Sequence, residues 1–94
     1  MKPILYSQHA IEQMFNREVS KEEVESAIIE GEITPAKKGR LSFRKNFPFK
    51  AEHKGKYYEI KQVMPIVVEE NDCYIVITVY AFYGSLVTNM KSSL

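Results

Sequence analysis

Four polar side chains could take part in acid–base or phosphate chemistry from one side of a helix. They recur at helical spacing in the order His9, Gln13, Asn16 and Arg17. Residues at i, i+4, i+7 and i+8 share one face of an α-helix. Histidine can exchange a proton near neutral pH, and arginine can bind a phosphate oxygen. The stripe predicts that His9 and Arg17 are catalytic and that Gln13 is a positioning group, unless His9 only hydrogen-bonds locally at the start of its helix.

A second group of candidates is the basic segment, residues 37–61. It carries nine Lys or Arg and two Glu, a net charge of +7 in a chain whose net charge is +1. This uneven charge indicates an anionic partner such as RNA, or else lysine-rich strand edges and loops that only confer solubility. Cleaving RNA without a metal requires a general base, a general acid and cations near the phosphate, so Arg44 and Lys45 are added as catalytic candidates. The predicted binding residues are Gln13, Lys37, Lys38, Arg40, Lys50, His53 and Lys54.

The sequence gives no indication of a cofactor or a metal site. The two histidines and the single Cys73 lack ligand spacing, and there is no Gly-rich phosphate loop or nucleophile elbow. One cysteine cannot form an internal disulfide, which favours a reducing compartment. No secretory signal and no apolar run of about 20 residues occurs, so we expect a soluble cytoplasmic protein without a membrane partner.

The length and the local patterns predict one domain spanning residues 1–94, with a pair of helices near its N-terminus. Ser7 is the predicted N-cap of the first helix, and Ser20 with Glu23 forms a predicted capping box at the second. Gly31 is expected to end the second helix. The apolar face predicted for the first helix consists of Ile11, Met14 and Phe15.

The remaining sequence alternates as strands do. Ile4–Tyr6 could form a first short strand, Leu41–Arg44 and Tyr57–Met64 alternate, and Tyr74–Tyr83 suits a central strand. The stretch Phe47–Gly55 is predicted to be a loop. The expected fold is α+β, with an N-terminal antiparallel helix hairpin packed on a three- to four-stranded antiparallel sheet.

Three short motifs extend this interpretation: "SQHA" at residues 7–10, "REVSKEEV" at 17–24 and "GE" at 31–32. In this order they resemble a family of small bacterial proteins known as domain of unknown function 4258, and "IVITVY" at residues 75–80 resembles the last strand of that family. Two positions depart from the pattern. Gln13 stands where arginine is usual, and Glu18 stands where glycine is usual, so the turn between the helices lacks a residue that adopts a positive φ easily.

The element order of this family is similar to that of RelE/ParE-type and BrnT-like toxins, many of which are ribonucleases. The resemblance implies a toxin-like protein that binds or cleaves RNA, either free or on the ribosome, with a small antitoxin-like protein as a further partner. This is an analogy at the level of the fold. The alternative function is a non-catalytic protein-binding or structural module on the same fold, with the acidic helix hairpin as its binding face.

Overall fold

A computed structural model of the protein describes residues 2–85. The two helices are α1 and α2, and the five strands are β1 to β5 in chain order. Their bounds are β1 Ile4–Tyr6, α1 Gln8–Asn16, α2 Lys21–Glu30, β2 Glu32–Pro35, β3 Leu41–His53, β4 Lys56–Glu69 and β5 Tyr74–Gly84. A short 3₁₀ turn at Lys37–Gly39 joins β2 to β3.

The strands form one mixed sheet in the order β1-β5-β4-β3-β2. Only β1 and β5 are parallel, and the other three pairs are antiparallel. The α+β class is therefore confirmed, but a sheet of three or four antiparallel strands is wrong. The short strand predicted at Ile4–Tyr6 is present as β1, so the helix pair follows a strand of the sheet. The central strand is β4, whereas β5 pairs with β1 only over Tyr74–Val76.

Both helices begin at the predicted serines. The Ser7 hydroxyl accepts a hydrogen bond from the Ala10 backbone N–H at 3.0 Å. At α2 the Ser20 hydroxyl accepts from the Glu23 N–H, and the Glu23 carboxylate accepts from the Ser20 N–H, both at 3.0 Å. These bonds satisfy backbone donors that a helix start otherwise leaves unpaired, which explains why the sequence signal was reliable.

Gly31 ends α2 as predicted, but the reason for glycine differs from the usual one. Its φ is −78°, which any residue can adopt. A Cβ at this position would instead collide with the Ala27 carbonyl oxygen and lie 2.6 Å from the Arg44 carbonyl oxygen. Glycine is needed here because the end of α2 packs directly on the backbone of β3.

The core lies between the two helices and one face of the sheet. Its buried side chains are Ala10, Met14, Val19, Val24, Ile28, Phe43, Val63, Val67, Val76 and Val79. The apolar face predicted for α1 is partly wrong, because Ile11 is 45% exposed and Phe15 is 84% exposed. Each of these two follows a buried residue by one position, which is a rotation of about 100° around the helix.

The predicted loop at Phe47–Gly55 is instead part of a long hairpin. β3 continues to His53 and returns as β4 from Lys56. The register shifts between Pro48 and Ala51, where Lys50 has a positive φ of 48°, as an irregularity of the β-bulge type. The short strand β2 was not predicted. None of the helices among residues 2–85 is long and apolar enough to cross a membrane.

The two faces of the sheet differ in burial, which a pair of phenylalanines can test. Phe43 is 2% exposed on the helix side, and Phe82 is 49% exposed on the opposite face. We expect Phe43→Ala to lower the free energy of unfolding by about 3–5 kcal/mol, because it leaves a cavity in the core. Phe82→Ala should cost less than about 1 kcal/mol, since a surface site relaxes freely. Equal losses in urea denaturation would contradict the assignment of the two faces.

Candidate nucleic-acid interface

A cleft lies where the end of α1, the tip of the β3–β4 hairpin and the end of β5 meet. Three of its residues were named from the sequence as site residues, and they now lie together. The lining side chains are Asn16, Arg17, His53, Lys54, Ala81 and Tyr83. We call this site the hairpin cleft.

Arg17 occupies the C-terminal end of α1 and is held by three contacts. Its guanidinium donates to the side-chain oxygen of Gln13 and, at 3.0 Å, to the Val79 carbonyl oxygen of β5. It also lies 5.3 Å from the centre of the Tyr80 ring, within the range of a cation–π interaction. No carboxylate among residues 2–85 forms an ion pair with it, so its positive charge is not neutralised by a direct partner.

The hairpin tip presents His53 and Lys54 to this cleft. Two residues, Lys54 and Gly55, connect the paired residues His53 and Lys56. Both connecting residues have positive φ, 53° and 82°, as in the type I′ turn that fits the twist of a two-residue hairpin. The turn places the Lys54 side chain at the surface, and no ion pair holds its ammonium group within the described part of the chain.

An aromatic cluster forms one wall of the cleft. The His53 ring stacks on the Tyr83 ring, with a centroid distance of 4.0 Å and an angle of 15° between the planes. Phe49 meets Tyr83 edge-on at 5.1 Å, and Tyr58 approaches it at 5.5 Å. Such a supported stack of flat rings can bind a further planar group, as aromatic side chains bind the bases of single-stranded nucleic acids.

The phenol of Tyr83 is a hydrogen-bond donor rather than a base. Burial raises its pKa above the ordinary value of 10.0, and the negative charges of Glu18 and Glu23 raise it further. The hydroxyl group therefore keeps its proton near neutral pH and can donate to an anionic oxygen.

His9 does not line the cleft. It is exposed on α1, seven residues before Asn16, which corresponds to about 10 Å along the helix axis. The polar stripe predicted on α1 is therefore divided. Gln13, Asn16 and Arg17 lie at or beside the cleft, whereas His9 lies toward the other end of the helix. The catalytic role of His9 stays a prediction.

Arg44 and Lys45 are also separated from the cleft and from each other. As neighbours on β3 they point to opposite faces of the sheet. Arg44 donates to the Glu32 carboxylate at 2.6 Å, and Lys45 is bonded to Ser26 and Glu30 on α2. The hydrogen bond that the Lys45 ammonium donates to Glu30, together with its positive charge, lowers the pKa of the Glu30 carboxyl group. Both cations are engaged within the protein, and the structure does not bring them together with His9 or Arg17.

The basic segment divides into two groups at the two ends of β3. Lys37, Lys38 and Arg40 precede the strand, and Lys50, His53 and Lys54 lie near or at its far end. A strand of 13 residues is roughly 40 Å long, so the two groups are not one surface patch. Within residues 2–85, no three His, Cys, Asp or Glu side chains come together as metal ligands.

Arg17, His53 and Lys54 were identified as site residues from the sequence, but the position of Tyr83 beside them was not predicted. The signal that could have indicated the position of Tyr83 is Gly55, since a glycine at the second position of a two-residue loop between alternating stretches favours a hairpin. A hairpin at this point would have extended β3 and β4 and placed His53 beside the last strand.

Residues 6–81 match the family described as "Domain of unknown function (DUF4258)", and the chain belongs to this family, as its N-terminal motifs predicted. The match covers Arg17, His53 and Lys54 but ends before Tyr83. No curated protein and no solved structure matches the chain significantly. The resemblance to RelE- and BrnT-type toxins therefore stays unconfirmed.

The pKa of Tyr83 provides a test of the cleft's electrostatics. We expect its phenol to titrate above 10.0, and Glu18→Gln to lower that pKa because a negative charge beside the phenol is removed. The neutral phenol stabilises the fold fully below pH 10.0, and this contribution is lost as the pH rises through the folded-state pKa. Carbon-13 NMR of ring-labelled tyrosine, with Tyr83→Phe for assignment, measures the shift. A Tyr83 that titrates at or below the ordinary value would contradict its burial.

Proposed function

We propose that the protein binds single-stranded RNA in the hairpin cleft, either free or as part of a ribosome. The observation that carries this proposal is the combination of two uncompensated cations, Arg17 and Lys54, with the stacked rings of His53 and Tyr83. The cations suit the phosphates of the RNA backbone, and the ring stack suits an unpaired base. The membership of the family does not by itself assign this function.

The roles within the cleft follow from the geometry of each side chain. Arg17 is fixed in place by Gln13 and Val79, so little conformational freedom is lost when it binds a phosphate. Lys54 is a mobile point charge at the tip of the turn and adds a second phosphate contact. The protonated phenol of Tyr83 can donate a hydrogen bond to a phosphate or sugar oxygen.

Lys54 and Lys38 form a matched pair for testing this proposal. Both are lysines with positive φ, 53° and 61°, and both precede a glycine, but they lie at opposite ends of β3. Asparagine tolerates this backbone conformation well, so Lys54→Asn and Lys38→Asn should both fold. We expect Lys54→Asn to weaken RNA binding about threefold and to reduce the slope of log K against log salt by about 0.7, because one phosphate contact is lost.

Lys38→Asn should change neither quantity. Fluorescence anisotropy with a labelled single-stranded RNA over a series of salt concentrations measures both. Equal effects of the two variants would indicate a diffuse charge effect rather than a cleft. If the wild-type protein shows no binding even at low salt, the RNA-binding proposal is wrong.

Cleavage of RNA is a second candidate function, favoured by the position of His53. The ring is held on Tyr83, beside the Arg17 cation, so one cleft contains a group that can exchange protons and a group that can stabilise a charged phosphate. His9 is the catalytic histidine predicted from the sequence. Substituting each histidine in turn and measuring RNA cleavage therefore shows which of the two is catalytic.

For a wild-type protein that cleaves RNA, we expect His53→Ala to lower the cleavage rate by about 10²–10⁴-fold, because general acid–base catalysis contributes this much. His9→Ala should leave the rate nearly unchanged if the cleft is the active site, and should lower it by about 10²–10⁴-fold if the sequence prediction is right. Gel analysis of RNA integrity, with the melting temperature of each variant as a control for folding, separates these results.

A protein-binding module is the remaining alternative, and one observation favours it. Ile11 and Phe15 lie on the outer side of α1 with 45% and 84% of their surface exposed. Exposed apolar side chains at i and i+4 on a helix are suited to a protein partner, such as an antitoxin-like protein. A wild-type protein without RNA affinity would leave this function as the better one.

A further inference from the structure

The face of the sheet opposite the helices carries a row of three side chains in register. Asn46 on β3 is paired with Gln62 on β4, and Gln62 is paired with Phe82 on β5. Side chains at paired positions point to the same face, since strands alternate with a period of two. Neither α1 nor α2 covers this face, because both pack on the side of Val63 and Val79.

The two amides in this row are held in a fixed relative orientation. The Gln62 side-chain N–H₂ donates to the Asn46 side-chain oxygen at 3.0 Å. This bond leaves the amide N–H₂ of Asn46 and the side-chain oxygen of Gln62 without partners among residues 2–85. A hydrogen-bond donor and an acceptor are therefore presented side by side at the surface.

A planar apolar platform adjoins the amides. Phe82 is 49% exposed, and its ring lies nearly parallel to the Tyr80 ring, with an angle of 18° and a centroid distance of 6.3 Å. Together with Gly84, which has no side chain to block access, the row borders a shallow pocket. Its lining residues are Asn46, Ile60, Gln62, Phe82, Tyr83 and Gly84.

This pocket and the hairpin cleft have one lining residue of β5 in common. Tyr83 lines both of them. The Arg17 guanidinium of the cleft also contacts the Tyr80 ring, which in turn stacks with Phe82 of the pocket. A polymer bound by its phosphates in the cleft can therefore place a neighbouring base on the open face of the sheet.

We propose that the Asn46–Gln62 amide pair and the Phe82 ring form a subsite for one nucleobase of the bound RNA. Each RNA base presents an adjacent donor and acceptor on its Watson–Crick edge, but their order and position differ from base to base. Unpaired bases are read by hydrogen bonds to that edge and by stacking on aromatic rings. The subsite rests on the proposed function, to which it adds a base preference. The phosphate contacts of the cleft hold RNA of any sequence, and the amide pair discriminates among bases.

The rival explanation is that the amide pair only stabilises the pairing of β3 with β4. A cross-strand pair of this kind contributes to stability whatever ligand is present. This explanation and the subsite make opposite predictions for base selectivity, so selectivity is the quantity to measure.

The test compares homopolymer RNAs of equal length, one for each base, by fluorescence anisotropy at fixed salt concentration. The wild-type protein should prefer one homopolymer over the least favoured by about 5- to 100-fold, the discrimination expected for a bidentate contact to a base edge. Gln62→Leu, which keeps the size of the side chain, and Asn46→Ala should each bring the affinities close together. Gln8→Leu on the exposed surface of α1 is the matched control and should keep the preference.

Three results would overturn the subsite. The first is wild-type protein that binds all homopolymers equally, and the second is a preference that persists in both Gln62→Leu and Asn46→Ala. Either result leaves RNA binding by the cleft intact, because Lys54→Asn would still reduce the salt dependence for every homopolymer. The third is absence of RNA binding by the wild type, which removes the proposed function and the subsite together. Unchanged melting temperatures show that a lost preference is not a loss of folding.

Discussion

The position of the helices depends on one buried ammonium group. Lys61 lies on the central strand β4 and is 5% exposed. Its ammonium donates to the Glu18 carbonyl oxygen at 2.6 Å and to the Glu23 carboxylate at 3.0 Å. The same carboxylate accepts from the Ser20 backbone N–H, so the capping box of α2 is tied to the sheet. Removing one partner of such a buried pair typically costs about 3–5 kcal/mol, because the other charge is left uncompensated.

The hairpin cleft depends on this contact through the turn between the helices. Glu18 has a φ of 57°, a conformation that glycine adopts more easily. The bond from Lys61 to the Glu18 carbonyl holds the strained residue in place. Arg17 immediately precedes it, so the turn also determines where the guanidinium meets Val79 on β5. Glu18 has an electrostatic consequence as well, since its negative charge adds to the effect of burial in raising the pKa of Tyr83.

The features predicted correctly from the sequence are those set by neighbouring residues. Ser7, Ser20 and Glu23 mark the helix starts through local hydrogen bonds, so the pattern alone was sufficient. The orientation of α1 was not predicted correctly. Ala10 rather than Ile11 faces the sheet, and the hydrogen bond from Arg17 to β5 that fixes this orientation is a long-range contact. The parallel pairing of β1 and the strand β2 depend on long-range contacts that carry no local signal. For the site, Arg17, His53 and Lys54 could be named by residue type, but their proximity requires the register of the β3–β4 hairpin.

The outer edge of β5 connects the two proposed parts of the RNA site. β1 covers this edge only as far as Val76, and on this side no other strand among residues 2–85 pairs with the later part of β5. An uncovered edge invites pairing with another chain unless charges or bulges oppose it. Arg17 bonds to the Val79 carbonyl and so places a cation on the edge. Beyond it, Phe82 and Tyr83 are adjacent residues that point to opposite faces, one beside the amide pair and the other into the cleft. A longer β1 would separate the two proposed sites, so the proposed RNA path around β5 depends on the shortness of this strand.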